Sequence, residues 1–146
     1  MTAKAPTQSI SQEYELPFPP AKVWRALTEP ELLAGWLMSS DIRPAVGQNF
    51  TFKSEPTPWW DGIVHCEVLE LEKEKQLSYT WRSGPESSPL DTVVTWTLTP
   101  TASGGTRLSL EHSGFVPSNK FAFEGAAQGW QRMVGRQLKE VLARVN

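Results

Sequence analysis

Two histidines, one cysteine and a set of large rings are the side chains of this sequence that could do chemistry. His112 shares an alternating face with Leu108 and Leu110 and is expected to point inward at the end of a strand. There it can anchor a polar group of a ligand or deliver a proton. Acid–base work needs converging polar partners, and Tyr79, Arg82 and Gln12 are the ones on offer. His65 alternates with Val64 and Cys66, which puts it on the outer face beside Glu67. Neighbouring strand residues point to opposite faces, so His65 and Cys66 do not converge on a metal. Cys66 has apolar neighbours and no evident base, which suits a small core residue rather than a nucleophile. Gly104-Gly105 sits in a hairpin and not ahead of a helix, so no phosphate loop is expected. No metal and no cofactor is expected either. Glu67, Glu70, Glu72 and Glu74 read as a solvated acidic edge.

The aromatic residues carry more information. They make up 10% of the chain and include seven tryptophans. Phe50, Phe52, Tyr79, Trp81, Trp96 and Trp130 all fall on expected inner faces. They can fill a dense core or line a void. Buried tyrosine and tryptophan need hydrogen-bond partners, which a ligand can supply. A ligand pocket is the expectation, because a curved sheet over one helix is hard to fill everywhere. Its opening is expected between Trp36 to Met38, the Trp59-Trp60 loop and the segment from Phe115 to Phe121. Met133 and Val134 complete the lining from a final helix.

The elements that would position these rings follow from periodicity. Residues 1–8 read as a frayed end and 9–146 as one domain. Ile10, Gln12, Tyr14 and Leu16 mark a half-buried strand, closed by Pro17, Pro19 and Pro20. Val23, Trp24 and Leu27 give a short helix. Thr28 and Glu31 form an expected capping box for a second one through Leu32, Leu33 and Trp36. Five or six strands follow, around Phe50–Phe52, Val64–Val68, Leu77–Trp81, Val94–Leu98 and Leu108–His112. Leu69 and Leu71 fall out of phase with Val64, Cys66 and Val68, which predicts a bulge near Val68. From Phe123 to Val145 an apolar stripe of helical period predicts one helix of about twenty residues, with Ser118 or Asn119 as its cap. The order implies an α+β fold in which an antiparallel sheet of six or seven strands is covered by that helix.

Composition narrows the function classes. A length of 146 residues with 39% hydrophobic and 21% charged residues describes a globular domain. The net charge of −2 is unsuited to nucleic acid or an anionic membrane, which need clustered cations. The basic run from Arg132 to Arg144 is broken by Glu140 and reads as a solvated helix face. A single cysteine, no leader-like start and no apolar run of membrane length point to a cytoplasmic protein. A chaperone contact would need a large exposed patch, and none is read here. A monomer or weak homodimer is expected.

Several segments together resemble a known family. They are Phe18-Pro-Pro-Ala-Lys-Val-Trp-Arg-Ala-Leu-Thr-Glu-Pro-Glu-Leu-Leu-Ala-Gly-Trp36, Asp61-Gly-Ile-Val64, Leu77-Ser-Tyr-Thr-Trp81, Val94-Thr-Trp-Thr-Leu98, Gly105-Thr-Arg-Leu-Ser-Leu-Glu-His112 and Gly129-Trp130. In order and spacing the chain resembles the family named after the activator of the 90-kDa heat-shock protein ATPase. That family lies in the helix-grip superfamily, with steroidogenic-acute-regulatory lipid-transfer domains, birch-pollen-allergen-like proteins and aromatic polyketide cyclases. The resemblance implies a curved sheet gripping a long C-terminal helix, an apolar ligand pocket and a link to the stress response. Co-chaperones of this name carry a further N-terminal domain for which this chain has no room. The expected function is therefore binding or carriage of a small hydrophobic or aromatic ligand. The alternatives are a cyclase or hydrolase using His112, and a chaperone-activating module.

Overall fold

The computed structural model describes residues 8–58, 60–84 and 89–145. Of the frayed end expected over residues 1–8, residues 1–7 lie outside the described residues, as do Trp59 and residues 85–88 of the loop before Leu90, while Gln8 opens the first strand. Strand β1 (Gln8–Leu16) is followed by helices α1 (Pro20–Thr28) and α2 (Pro30–Trp36). Six further strands come next: β2 (Ser39–Ser40), β3 (Asn49–Lys53), β4 (Ile63–Glu72), β5 (Gln76–Ser83), β6 (Leu90–Pro100) and β7 (Thr106–Phe115). They form one antiparallel sheet in the order β1-β7-β6-β5-β4-β3-β2. The expected α+β sheet-and-helix architecture is the observed one.

Each long strand buries one face under the helices. On β6 the inward residues are Thr92, Val94, Trp96 and Leu98. The bulge expected near Val68 lies between Val68 and Glu70. Beside it the Thr80 hydroxyl accepts the Glu67 amide at 2.8 Å. Thr80 is therefore buried on the outer side, where alternation alone predicts exposure.

Two local expectations need correction. The capping box at Thr28 does not form. Thr28 is the last residue of α1, and its hydroxyl donates to the Trp24 carbonyl at 2.8 Å. Glu29 precedes α2 instead, and Pro30 fills the first helical position, where no amide needs a partner. The expected long final helix is present and unbroken from Lys120 to Arg144, but it is not α-helical throughout. A 3-10 turn (Pro117–Asn119) leads into α3 (Lys120–Arg132), a π-helical segment (Met133–Gln137) and α4 (Leu138–Arg144). Asn119 holds the cap position of α3 but makes no cap hydrogen bond. Its side chain accepts from the Val116 amide and donates to the Pro89 carbonyl, tying the end of β7 to the approach to β6.

Candidate functional site

The register gathers seven strand ends at one rim. Lys53 pairs with both Ser39 and Ile63, Ser83 with Leu90, and Gln8 with Phe115. The starts of β1, β2, β4 and β6 therefore share this rim with the ends of β3, β5 and β7. Half-buried apolar side chains border it, among them Met38, Trp60, Leu90 and Phe123. The Trp60 indole donates to Ser83 Oγ at 2.6 Å, and that hydroxyl donates to the Ile63 carbonyl. Gly62, at φ +81°, makes the turn; a Cβ there would meet the Ser54 carbonyl oxygen at 2.3 Å. A groove of about 420 Å³ runs beside Phe123 between Gln8, Pro117, Lys120 and Glu124.

Below the rim the rings pack mostly edge to face, with Phe52 tilted on Tyr79 and Trp81 and His112 tilted on Phe115. Phe123 meets Phe115 at 5.2 Å, and Phe115 meets His112 at 4.6 Å. His112 and Trp130 each contact Trp81, at 5.6 and 5.4 Å. Trp81 leads through Phe52 to Tyr79 and Phe50, and Trp130 leads through Trp96 to Trp36. Trp81, at 8% exposure, is the most exposed ring of this row below Phe123. Edge-to-face geometry suits the ring quadrupoles, so the row is favourable beyond the area it buries.

A polar circuit threads these rings. Trp130 Nε1 donates to His112 Nδ1 at 3.0 Å, so Nδ1 is the acceptor and the imidazole proton sits on Nε2. Nε2 then donates to Thr92 Oγ1 at 2.8 Å, and Thr92 donates to the Trp81 carbonyl at 2.8 Å. Burial holds the His112 pKa down at about 3, so the ring is neutral near pH 7. No ring nitrogen is left to take up or deliver a proton. A second circuit joins β1 to α3: the Tyr14 hydroxyl donates to Gln12 Oε1, and Gln12 Nε2 donates to the Ala127 carbonyl at 3.0 Å.

The structure brings most of the expected site residues together. Phe50, Phe52, Tyr79, Trp81, Trp96, Phe115, Trp130 and Val134 are buried in one cluster, with Trp60 and Met133 half-buried against it, and buried His112 touches its Trp81, Phe115 and Trp130 rings. Trp36, expected at the opening, lies inside it, with its indole donating to the Ala26 carbonyl at 2.9 Å. Phe121, also expected there, is 86% exposed. It precedes the inward Phe123 by two residues, about 200° around the helix, and so turns outward. Arg82 points away from the interior and pairs with Asp91 at 2.9 Å. His65 is exposed and Cys66 is buried, with burial pushing its thiol pKa upward. Among the described residues no group of three or more His, Cys, Asp or Glu could hold a metal ion. Sequence reading missed Thr92, although it lies two residues before Val94 on the inner face.

Comparison with known proteins follows the same outline. The family model described as "Activator of Hsp90 ATPase homolog 1-like protein" matches residues 17–143. Protein MLL2253 from Mesorhizobium loti is 41% identical over 95% of this chain and 99% of its own, with a TM-score of 0.86. CV1439 from Chromobacterium violaceum is 26% identical over 94% of this chain and 98% of its own, with a TM-score of 0.74. DynU16, from the dynemicin biosynthetic locus, is 26% identical over 95% of this chain with a TM-score of 0.74; this chain spans 48% of it. No curated protein matches the sequence.

Proposed function

The chain belongs to the Activator of Hsp90 ATPase homolog 1-like family, with its helix-grip fold, and from that premise we propose that it binds a small hydrophobic or aromatic molecule between sheet and helix, entering at the rim. The carrying observation is the rim itself, where half-buried Met38, Trp60, Leu90 and Phe123 stand over a continuous row of rings. The first half of α3 supports this. Phe123, Ala126 and Ala127 are only half-buried, and the first fully buried residue of α3 is Gly129. Such a lightly packed segment opens at low cost and can admit a ring.

A cyclase or hydrolase reading is weaker, because His112 has both nitrogens engaged and titrates far below neutrality. We propose a carrier that works in the cytoplasm as a monomer or weak homodimer; no helix of the described residues is long and apolar enough to cross a membrane. The test is titration with flavonoid-like, fatty-acid and polyketide-like compounds, followed by amide and indole NMR. Shifts at Trp60, Trp81, Phe115 and Phe123 are expected. Shifts confined to the outer sheet face around His65 and Arg107, or no binding of any compound, would overturn the proposal.

A further inference from the structure

One large ring of this chain has no cover. Phe121 is 86% exposed on α3, whereas Phe123, two residues on, packs against the core. Phe121, Gly125 and Gln128 recur at helical spacing and form one outward face. Gly125 is exposed, and a Cβ placed there would meet nothing within 4 Å. A flat seat for a ring therefore lies one turn from the uncovered ring. An exposed ring alone implies no partner, so the charges beside it decide what covers it.

Lys120 and Glu124 flank this face, and both are exposed. Among the described residues neither has an ion-pair partner. They lie four residues apart, but lysine before glutamate is the weaker order for a pair within one helix. Lys120 also opens α3, where the positive end of the helix dipole favours a carboxylate over an ammonium. Both charges are therefore best met from outside their own helix.

A second copy of α3 meets all of these needs at once. Set antiparallel across a two-fold axis between Phe121 and Gly125, it lays its Phe121 on the first copy's Gly125 and its Glu124 beside the first copy's Lys120. The symmetry makes each contact twice and closes the assembly at two copies. A lipid surface would cover Phe121 but offers Glu124 no fixed cation, and an anionic one would repel it.

We propose that two copies of this chain associate through the first half of α3, Phe121 on Gly125 and Lys120 against Glu124. This goes beyond the ligand reading and does not depend on it. The contact covers between two and three turns of helix from each copy, roughly, which places it among small and weak interfaces.

Sedimentation velocity on the intact chain, from about 10 µM to about 1 mM, should show a reversible monomer–dimer exchange with its midpoint near about 100 µM. Phe121→Ser should weaken the dimer at least about tenfold. Lys120→Glu and Glu124→Lys should each do the same, since either reversal sets like charges together at both ends of the two-fold. Mixed in equal amounts, those two variants should associate to within about threefold of the natural protein, because each presents the charge that the other lacks. All three positions are exposed, and an unchanged thermal unfolding curve separates lost association from lost folding. A monomer throughout, a dimer that Phe121→Ser leaves intact, or a mixture no tighter than the separate variants overturns the inference. So does a chain that stays monomeric and binds phosphatidylcholine vesicles through Phe121, because a lipid surface then covers the ring.

Discussion

At His112 an imidazole is held with its proton on a known nitrogen, because a donor that cannot accept, the Trp130 indole, faces Nδ1. The alternation of β7 was enough to point His112 inward. Its partners were not legible, since Thr92 and Trp130 reach it only through the β6–β7 register, in which Val94 faces His112, and through the docking of α3. Burial of this imidazole makes stability depend on pH. The folded-state pKa is lowered to about 3 from 6.5, so the unfolded chain takes up the proton first. The stabilisation is complete above pH 6.5 and is lost as the pH falls toward 3, by about 4–5 kcal/mol across that window. Urea titrations at pH 7, 5 and 3.5 should therefore show stability falling more steeply for the natural protein than for His112→Gln; equal slopes would exclude a neutral buried imidazole as the source. Trp130→Ala removes a 1% exposed ring and an Nδ1 partner together, and should cost about 3–5 kcal/mol in chemical denaturation.

The last helical element shows why a stripe of the right residues can still hide an irregularity. Trp130, Val134, Leu138 and Leu142 are all buried and recur every fourth residue. In an α-helix each such step over-rotates by about 40°, so three steps would swing Leu142 about 120° off the core. The π-helical turn at Met133–Gln137 absorbs that drift and returns α4 to the sheet. The fourfold repeat was the available signal, and reading it as period 3.6 concealed the turn. Deleting Gly135 would leave spacings of four, three and four, which a continuous α-helix accepts. That variant should stay within about 1–2 kcal/mol of the natural protein, whereas deleting Lys139 rotates Val141 and Leu142 by about 100° and should cost at least about 3 kcal/mol. Comparable losses for the two deletions would contradict the role given to the π turn. The bulge at Val68 was readable because it shifts the apolar phase itself. The box at Thr28 was misread because the Trp24 carbonyl, one turn back, competes for the same hydroxyl.

Over the whole molecule, the sheet and its helical cover were legible from the order of periods, while the pairing of β1 with β7 belongs to chain topology. That pairing brings Gln12 against α3 and the Tyr14 ring beside Gly135 of the π-helical segment. The three segments expected at the opening do reach one rim, yet Trp36 is drawn inside by its bond to Ala26 and Phe121 turns out by helical phase. The ring row also gives the protein optical properties. Trp36, Trp96, Trp130 and Trp81 come from α2, β6, α3 and β5, and adjacent pairs lie 5.4–5.9 Å apart at large angles. At such separations the strong far-ultraviolet indole transitions couple as excitons, so the couplet they add to the circular dichroism belongs to the chain of four and not to single residues. Trp96 links Trp36 to Trp130, and Trp96→Phe should therefore erase well over one chromophore's share of the signal. Any molecule that parts these rings will write its arrival into that spectrum without a label.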